Sequence, residues 1–327
     1  MEVKMKNRVA AVVVTYNRKD LILECIEAVL EQSYSVAKII LIDNCSTDGT
    51  EDVLRAKGYL EHPGISYSRM DSNLGGAGGF YEGMVRAAQD QYDWIWMMDD
   101  DTIPVPNCLE ELIKADEIVE SSTPVKGLEC AVRPSFFASA VYGADGEFMN
   151  LPVVNRKKAP NGYAYWYNFL DRGMINIEMA TFVSVLIKRE AVEKCGLPYK
   201  DFFLWGDDSE YTTRLTKYYG DAYLVGKSVA VHKRAAASPI AIKTEMNPRR
   251  IEMMYYKYRN AVIKHRHYAS GFYVLFYILQ SLLECIQCIG KKFGLKKIKA
   301  ILKGDWQGIT QYRRFKRYID GQLKKDC

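Results

Sequence analysis

The sequence predicts an α/β protein with a doubly wound, largely parallel sheet, followed by a helical and basic C-terminal region. Short apolar runs alternate with helical patterns over the first hundred residues, which is typical of consecutive βαβ units. Polar clusters directly follow the apolar runs, as at the carboxyl edge of such a sheet, where ligands bind. Lys and Arg then accumulate after residue 290, which marks the last part of the chain as different.

Length and composition fit a folded protein with one large core. The chain has 327 residues, of which 48% are apolar and 26% are charged, an ordinary composition for a soluble domain. From Lys291 to the end there are twelve Lys or Arg and three acids, so the rest of the chain has a net charge of minus four. A basic tail favours a phosphate-rich partner, either a membrane surface or nucleic acid.

Cysteine usage and the N-terminus indicate a cytoplasmic protein. The eight cysteines are scattered through a chain of ordinary size, so we interpret them as reduced thiols. Cys285 and Cys288 form a lone C-x-x-C in a helical segment, which favours a packing role over a metal or redox role. Residues 1–8 are mixed in charge and lack the apolar stretch of a secretory signal.

The elements follow from apolar periodicity and its interruptions. Predicted strands cover residues 9–14, 38–43, 65–69, 94–98, 179–188 and 223–231. Predicted helices cover residues 20–32 and 106–119. Three further helices are predicted, one with its N-cap at Thr47 or Asp48, one that ends at Ala88, and one from near Asp208 to Tyr219. Between 104 and 175 the pattern is irregular. Aromatic residues concentrate at 163–169, where they could stack on sugar rings or form a packed hairpin.

Three consecutive carboxylates end the apolar run at 94–98. Asp99, Asp100 and Asp101 repel one another, and a divalent cation such as Mg²⁺ or Mn²⁺ would offset that repulsion through oxygen ligands. Alternate residues of a strand point the same way, so Asp99 and Asp101 can share one metal while Asp100 turns aside. The alternative interpretation is an exposed acidic turn.

A second acidic cluster, Asp207, Asp208 and Glu210, lies where a helix is predicted to begin. Carboxylates are favoured at helix N-termini, so a simple N-cap is one interpretation; the other is that one acid is a general base. His232 follows the apolar residues 229–231. The sheet would present it at the same edge as the Asp run.

The glycine-rich stretch 73–80 precedes a predicted helix. Its four glycines allow close backbone approach to a ligand, and helix N-termini attract phosphate. The glycine spacing excludes the dinucleotide-binding pattern, and the stretch follows the third strand rather than the first. A purely structural tight turn is the alternative.

Taken in order, these stretches resemble the family-2 inverting glycosyltransferases, which have the GT-A fold. The resemblance is carried by residues 13–18, 42–50, 73–80, 99–101, 205–210 and His232, and it spans residues 9–235. The glycine-rich stretch and the triple Asp look most like the galactofuranosyltransferase branch. Its relatives include rhamnosyltransferases of cell-wall and surface-polysaccharide assembly.

The resemblance implies roles for individual positions. Donor-binding residues would be Thr15, Asn17, Arg18, Asp43, Asn73, Gly75, Gly76 and Asp100; metal ligands would be Asp99, Asp101 and His232; acceptor-binding residues would be Trp205, Asp207 and Glu210. Asp208 matches the catalytic base, although the register leaves Asp207 open for that role. Arg259 and Asn260 match, more weakly, a helix near the donor site.

The expected activity is metal-dependent, inverting sugar transfer onto a sugar hydroxyl of a cell-surface glycan or lipid-linked glycan precursor. The resemblance favours UDP-galactofuranose as the donor, with dTDP-rhamnose next. A nucleotidyltransferase could use the same sheet and metal acids but would release pyrophosphate. A nucleic-acid-binding module is disfavoured because no recognised nucleic-acid motif accompanies the basic tail, so we expect no nucleic-acid partner.

Two regions are expected, a catalytic domain at 1–240 and a helical, basic region at 241–327. Residues 272–289 are apolar and approach the length of a membrane span, yet Gln280, Glu284 and Gln287 give a polar stripe. An amphipathic helix with lysines after it would suit anionic lipid headgroups. We expect peripheral attachment to the cytoplasmic face of the membrane; an all-protein appendage or an oligomer contact is the alternative.

Overall fold

The computed structural model describes residues 7–122, 133–159, 162–234 and 241–323. The strands are β1 (Val9–Thr15), β2 (Lys38–Asp43), β3 (Ile65–Arg69), β4 (Trp94–Asp99), β5 (Thr102–Pro104), β6 (Phe136–Gly143), β7 (Phe148–Met149), β8 (Val153–Val154), β9 (Met174–Met179), β10 (Val183–Lys188) and β11 (Ala222–His232). The helices are α1 (Lys19–Leu30), α2 (Thr50–Ala56), α3 (Gly75–Gln89), α4 (Cys108–Glu120), α5 (Arg189–Cys195), α6 (Asp207–Tyr218), α7 (Pro248–Met253), α8 (Tyr255–Tyr268), α9 (Gly271–Cys288) and α10 (Gly294–Gln322). Residues 1–6, part of the stretch expected to lack a secretory signal, and residue 240, the expected end of the first domain, lie outside the described residues.

The first four strands form the parallel half of the sheet, in the order β3-β2-β1-β4. All seven residues of β1 are buried, because helices cover both faces. Val9, Ala11 and Val13 pack in one core with α1 and α4. Ala10, Val12 and the rest of the other face pack with α3, α5 and α6. The doubly wound arrangement predicted from the sequence is therefore confirmed.

The second half of the sheet is mixed. β10 is antiparallel to both β4 and β6, and β11 is parallel to β6 but antiparallel to β9. The single strand predicted over 179–188 is wrong in one respect, because the chain leaves the sheet at Ala180 and forms two strands. β9 pairs with β11, while β10 lies beside β4. Apolar residues on both sides of the break hid it from the sequence pattern.

Two helix starts differ from the prediction. The N-cap of α2 is Gly49, with φ +87°, rather than Thr47 or Asp48; the Asp48 carboxylate still accepts the Thr50 backbone N–H at 3.1 Å. The glycine-rich stretch is not a turn ahead of α3 but its first turns. These glycines allow close packing on the sheet, since a Cβ at Gly83 would lie 2.3 Å from Cγ1 of Val12.

The aromatic segment and the C-terminal region also take defined forms. Residues 163–169 begin with a short antiparallel bridge between Ala164 and Lys158 and continue in a 3-10 turn at Tyr165–Tyr167, with Tyr165 buried and Tyr163 exposed. In the C-terminal region, α8 packs along α10 and both contact α9. Cys285 and Cys288 are free thiols buried in the small core between these helices, as expected for a packing role.

Candidate functional site

Strand pairing brings the triple Asp and His232 together. The Asp run leaves β4 at Asp99 and re-enters the sheet as β5, which pairs antiparallel with the end of β11. In that register His232 lies opposite Thr102, and the Lys233 backbone N–H donates to the Asp101 carbonyl at 2.8 Å. Ligand atoms of Asp99, Asp101 and His232 consequently lie within 4.8 Å of one another.

The donor atoms of this cluster are arranged to receive a cation. Nδ1 of His232 is 2.8 Å from Oδ1 of Asn150, and the amide of Asn150 is oriented because Nδ2 donates to Thr181 at 3.0 Å. Nδ1 of His232 therefore donates to Asn150, and Nε2 lies 3.1 Å from Oδ1 of Asp101, where it would face a bound cation. That carboxylate oxygen is buried, and its contact with His232 helps to lower the pKa of Asp101 against the effect of burial. An imidazole nitrogen and a carboxylate oxygen at this separation fit neighbouring ligands of a small divalent cation.

Asp100 turns away from the cluster, as alternation along the strand predicts. It accepts from the Thr15 hydroxyl at 2.7 Å and from Nη1 of Arg18 at 3.0 Å. Arg18 also donates to Oδ2 of Asp101 at 2.5 Å. Burial raises the pKa of Asp100 to about 6, against the opposing effects of Arg18 and Thr15. Asp100 thereby fixes the end of β1 against the acidic cluster from a buried position.

Charge repulsion is concentrated at Asp99. Burial, followed by the adjacent Asp101 and Asp100, raises the pKa of Asp99 well above its ordinary value. Asp207 in the second acidic cluster adds to the effect, so the two clusters lie close enough to interact. A bound cation or a proton would relieve this repulsion.

A strained loop presents the second cluster. Phe203 (φ +62°), Trp205 (φ +60°) and Gly206 (φ +90°) all have left-handed backbone conformations, which are costly for the two aromatic residues. Gly206 is the N-cap of α6, so neither acid takes the capping role considered in the sequence analysis. Trp205 is partly buried against the core between α8, α9 and α10.

The two aspartates of this cluster differ in exposure. Asp207 is buried, and burial together with the neighbouring charge of Asp208 raises its pKa to about 8. Asp208 is partly exposed, and its Oδ1 accepts the Ser209 backbone N–H at 2.5 Å. Burial also raises the pKa of Asp208, while the nearby Lys264 acts in the opposite direction. Asp208 is the more accessible carboxylate.

Glu210 has surroundings different from those expected for an acceptor-binding residue. It is fully buried in a two-pronged ion pair with Arg214, at 2.8 and 3.1 Å, and it also accepts from the Tyr268 hydroxyl at 2.6 Å. Both carboxylate oxygens are thus engaged inside the protein. Glu210 stabilises the packing of α6 on α8, and its carboxylate is not available to bind an acceptor.

The residues expected to bind the donor gather at the carboxyl ends of β1 and β2. Asn17 accepts the Thr47 backbone N–H at 2.7 Å and so joins the loops that follow these strands. Asp43 is buried and accepts from the Ser46 N–H at 2.8 Å and the Tyr67 hydroxyl at 2.9 Å.

The remaining expected donor residues lie at the start of α3. The side chain of Asn73 accepts the Gly75 backbone N–H at 2.8 Å. Gly75 is covered by the backbone of Phe203, whereas a Cβ at Gly76 would meet nothing within 4 Å. Gly76 is therefore the open glycine of this pair.

The sequence pattern missed Asn150 and understated Arg259 and Asn260. The Asn260 side chain donates to the carbonyls of Phe202, Leu204 and Trp205 at 2.7 to 3.1 Å. Arg259 donates to the carbonyls of residues 201 and 202 at 2.6 and 3.0 Å. Together they hold the strained loop from α8. No periodicity could have found these contacts, because they join distant parts of the chain.

The fold and the site define an α/β protein with a three-ligand candidate cation site at the carboxyl edge of its sheet. Residues 10–118, about one third of the chain, match the family model of glycosyl transferase family 2. Over this stretch the chain is therefore similar to the glycosyl transferase family 2.

Similarity to curated relatives points the same way. The chain is 30% identical to the galactofuranosyltransferase GlfT1 of Mycolicibacterium smegmatis over 213 residues, which cover 64% of this chain and 65% of that protein. It is 36% identical to the GlfT1 of Mycobacterium tuberculosis over 98 residues, 30% of this chain and 31% of that protein. The succinoglycan biosynthesis protein ExoO of Rhizobium meliloti is 28% identical over 37% of this chain and 33% of that protein. The match thus spans less than two thirds of each relative.

Solved structures share the fold. GalNAc-T7 with UDP, GalNAc and Mn²⁺ superimposes with a TM-score of 0.53 at 14% identity, over 95% of this chain and 57% of that chain. The mannosyltransferase PcManGT of Pyrobaculum calidifontis, in complex with GDP-Man and Mn²⁺, gives a TM-score of 0.50 at 17% identity, over 98% and 85%. The prediction of a GT-A sheet followed by C-terminal helices is confirmed.

Proposed function

We propose that this protein is a metal-dependent, inverting glycosyltransferase. It transfers a sugar, with galactofuranose from UDP-galactofuranose as the favoured donor, onto a sugar hydroxyl of a cell-surface glycan or lipid-linked glycan precursor. The observation that carries the proposal is the placement of two acidic clusters at one edge of the sheet. The first has cation-ligand geometry, and the second offers a partly exposed carboxylate.

The donor would lie across the carboxyl ends of β1, β2 and β4. In this proposal Thr15, Asn17, Arg18, Asp43, Asn73, Gly75, Gly76 and Asp100 form or support the nucleotide and sugar pocket. Mn²⁺ or Mg²⁺ held by Asp99, Asp101 and His232 would neutralise the charge that develops on the diphosphate leaving group. Arg18 already pairs with the adjacent carboxylates Asp100 and Asp101, which suits a role beside a diphosphate.

Asp208 would act as the general base. The acceptor hydroxyl oxygen forms a bond to the anomeric carbon, and its proton passes to the Asp208 carboxylate. The bond from that carbon to the diphosphate oxygen breaks, and the electron pair leaves with the nucleoside diphosphate. Attack opposite the leaving group inverts the anomeric centre. Trp205 and Asp207, on either side of Gly206, would contact the acceptor.

The names of the relatives support the choice of donor and product. Two are galactofuranosyltransferases and one takes part in succinoglycan biosynthesis. The two solved structures contain Mn²⁺ with UDP or GDP-Man, which supports a divalent cation in this protein as well. We further propose that residues 1–240 are the catalytic domain and that residues 241–327 hold it at the cytoplasmic face of the membrane.

Binding of nucleotides to the full-length protein tests the donor and the metal. We expect calorimetry to show UDP binding that requires Mn²⁺ and is tighter than dTDP binding. Asp101→Ala should abolish the Mn²⁺ requirement together with most of the UDP affinity. A preference for dTDP would replace galactofuranose with rhamnose. Failure of every nucleotide to bind a folded protein would overturn the proposal.

Turnover of two matched variants tests the base. Asp208→Asn should keep UDP and Mn²⁺ binding but lower kcat by about a thousandfold, within the range of a general base. Because the raised pKa of Asp208 keeps it protonated at low pH, wild-type activity should fall as pH falls, from a higher pH than an ordinary carboxyl would give. If Asp207→Asn instead abolished turnover while Asp208→Asn did not, the assignment of the base would be wrong.

A further inference from the structure

Helix α9 packs with its apolar side outward. Its fully buried residues are Ser281, Cys285 and Cys288, which are small or weakly polar. Its large apolar side chains are exposed instead: Phe272, Tyr273, Leu275, Phe276, Leu279, Leu282, Leu283 and Ile286. A helix that stabilises a soluble fold turns its apolar stripe toward the core. The outward face of α9 is thus suited to contact with another apolar phase.

Polar contacts hold the other side of α9 to the protein. Glu284 is the single charged residue between 271 and 288, and it accepts the Tyr258 hydroxyl of α8. Ser281 donates to Asp305 of α10 at 3.4 Å. These lateral contacts bind the C-terminal half of α9 along two neighbouring helices. Such a helix would lie in the plane of a membrane rather than cross it.

Helix α10 adds a second exposed apolar stripe and a cationic border. Leu295, Leu302, Trp306 and Ile309 are exposed, and their spacings of seven, four and three place them on one side of the helix. Lys291, Lys292 and Lys299 are exposed in the turn after α9 and the start of α10. Apolar side chains combined with lysines match the surface of an anionic bilayer, and Trp favours the headgroup region.

We propose that the outward face of α9 and the exposed stripe of α10 form a docking surface for an anionic membrane, with α9 lying in the bilayer interface. This docking surface is the part of the protein that would contact the membrane in the peripheral location proposed above. It does not depend on which sugar is transferred. A second copy of the chain fits this surface less well than a membrane does. A two-fold contact places the same patch on both partners and would bring the two lysine clusters toward each other, where their charges repel.

Vesicle flotation of the full-length protein tests the surface. We expect the wild type to float with phosphatidylcholine vesicles that contain phosphatidylglycerol and to float poorly with phosphatidylcholine alone. Leu279→Ser combined with Leu283→Ser should lower the bound fraction about tenfold, since two apolar side chains no longer enter the interface. The matched control is Gln280→Ser with Gln287→Ser, which alters exposed polar residues of the same helix and should float like the wild type.

The outcomes separate this inference from the transferase proposal. Each variant is assayed in parallel for UDP and Mn²⁺ binding, which the docking surface should not affect. Equal flotation of the leucine variant and the wild type would overturn the inference. A second result would also overturn the inference: the wild type does not float, sediments as a dimer, and becomes a monomer when the two leucines are replaced. A second copy of the chain would then cover this face. Lys291→Glu with Lys292→Glu should weaken binding to anionic vesicles only.

Discussion

The orientation of a single imidazole decides whether the acidic cluster can serve as a three-ligand site. His232 reaches the cluster through β11, but its ring is oriented by Asn150, which lies in an unpatterned loop between β7 and β8. Thr181 orients the amide, the amide holds Nδ1, and Nε2 then faces Asp101. Outer contacts of this kind set both the tautomer and the affinity of a metal-binding histidine.

Asn150→Ala should weaken Mn²⁺ binding about 10- to 100-fold with little loss of stability, because the imidazole loses its orienting partner but no core contact. Electron paramagnetic resonance of free Mn²⁺, titrated with protein in the presence of UDP, measures this directly. Asn150→Asp keeps an acceptor for Nδ1 and should recover most of the affinity. Asn107→Ala, at an exposed asparagine, serves as the control. Unchanged Mn²⁺ affinity in Asn150→Ala would show that the contact does not orient a ligand.

Residues at strand ends were predictable, whereas residues supplied by loops were not. Asp99, Asp101 and His232 each follow an apolar run, so a parallel-sheet argument places them at one edge. Asn150 and Asn260 act through contacts across more than fifty residues, and no local pattern marks them. Glu210 shows the opposite error, since a motif position resembled a binding residue although its partners, Arg214 and Tyr268, bury it completely.

The glycines of helix α3 have two different roles. Gly83 is needed for packing, because a Cβ there would lie 2.3 Å from Val12 of β1. Gly76 faces open space on the side where the donor is expected. The sequence predicted a helix after the glycine-rich stretch, whereas α3 begins within it at Gly75, and the sequence could not tell which glycines pack and which are accessible.

The same substitution at these two sites should therefore have opposite effects. Gly83→Ala should lower the free energy of unfolding by about 1–3 kcal/mol through overpacking. Gly76→Ala should leave it equal or raise it by about 0.5–1 kcal/mol, since Ala favours the helix, while weakening UDP binding if the donor approaches this backbone. Urea denaturation and calorimetry on both variants measure the two effects. Equal destabilisation by both would contradict the packing argument.

Strand bounds were predicted closely in the parallel half of the sheet. β2 matches its predicted range residue for residue, because a short apolar run flanked by polar residues has few other solutions. The edge strand β3, of which only Ile65 is buried, also matches its predicted range. The break between β9 and β10 was missed because the residues around Ala180 are as apolar as the strands themselves. The chain turns there because β9 pairs with β11 whereas β10 pairs with β4. These pairings join distant parts of the sequence, so a local pattern does not show them.

The C-terminal helices connect the proposed docking surface to the proposed general base, Asp208. Helix α8 holds the strained loop before α6 through Arg259 and Asn260, and Arg314 of α10 pairs with Asp201 at 2.6 Å. Helix α9, which carries the outward apolar face, packs on both α8 and α10. The region at 241–323 is thus built into the site and is more than a tether, so its packing should affect the stability of the entire fold.

The pH dependence of stability tests this packing at Asp305, which lies on α10 against α9. Burial raises its pKa to about 6, partly opposed by the Ser281 hydroxyl. Between pH 4 and 6 the unfolded chain therefore releases a proton that the folded chain retains, and the stability of the wild type falls as pH rises through this window. Asp305→Asn removes the ionisation. The variant should match the wild type near pH 3, where Asp305 is protonated in both states, and exceed it by about 1–2 kcal/mol at pH 7.

Urea denaturation of both proteins at several pH values between 3 and 7 gives the difference directly. Asp320→Asn, which removes an exposed acid from the same helix, is the matched control. A difference for Asp305→Asn that is independent of pH would mean that Asp305 ionises as readily in the folded chain as in the unfolded one. The contact between α9 and α10 would then be open to water, and the C-terminal helices could not hold the loop before α6 as firmly as these contacts imply.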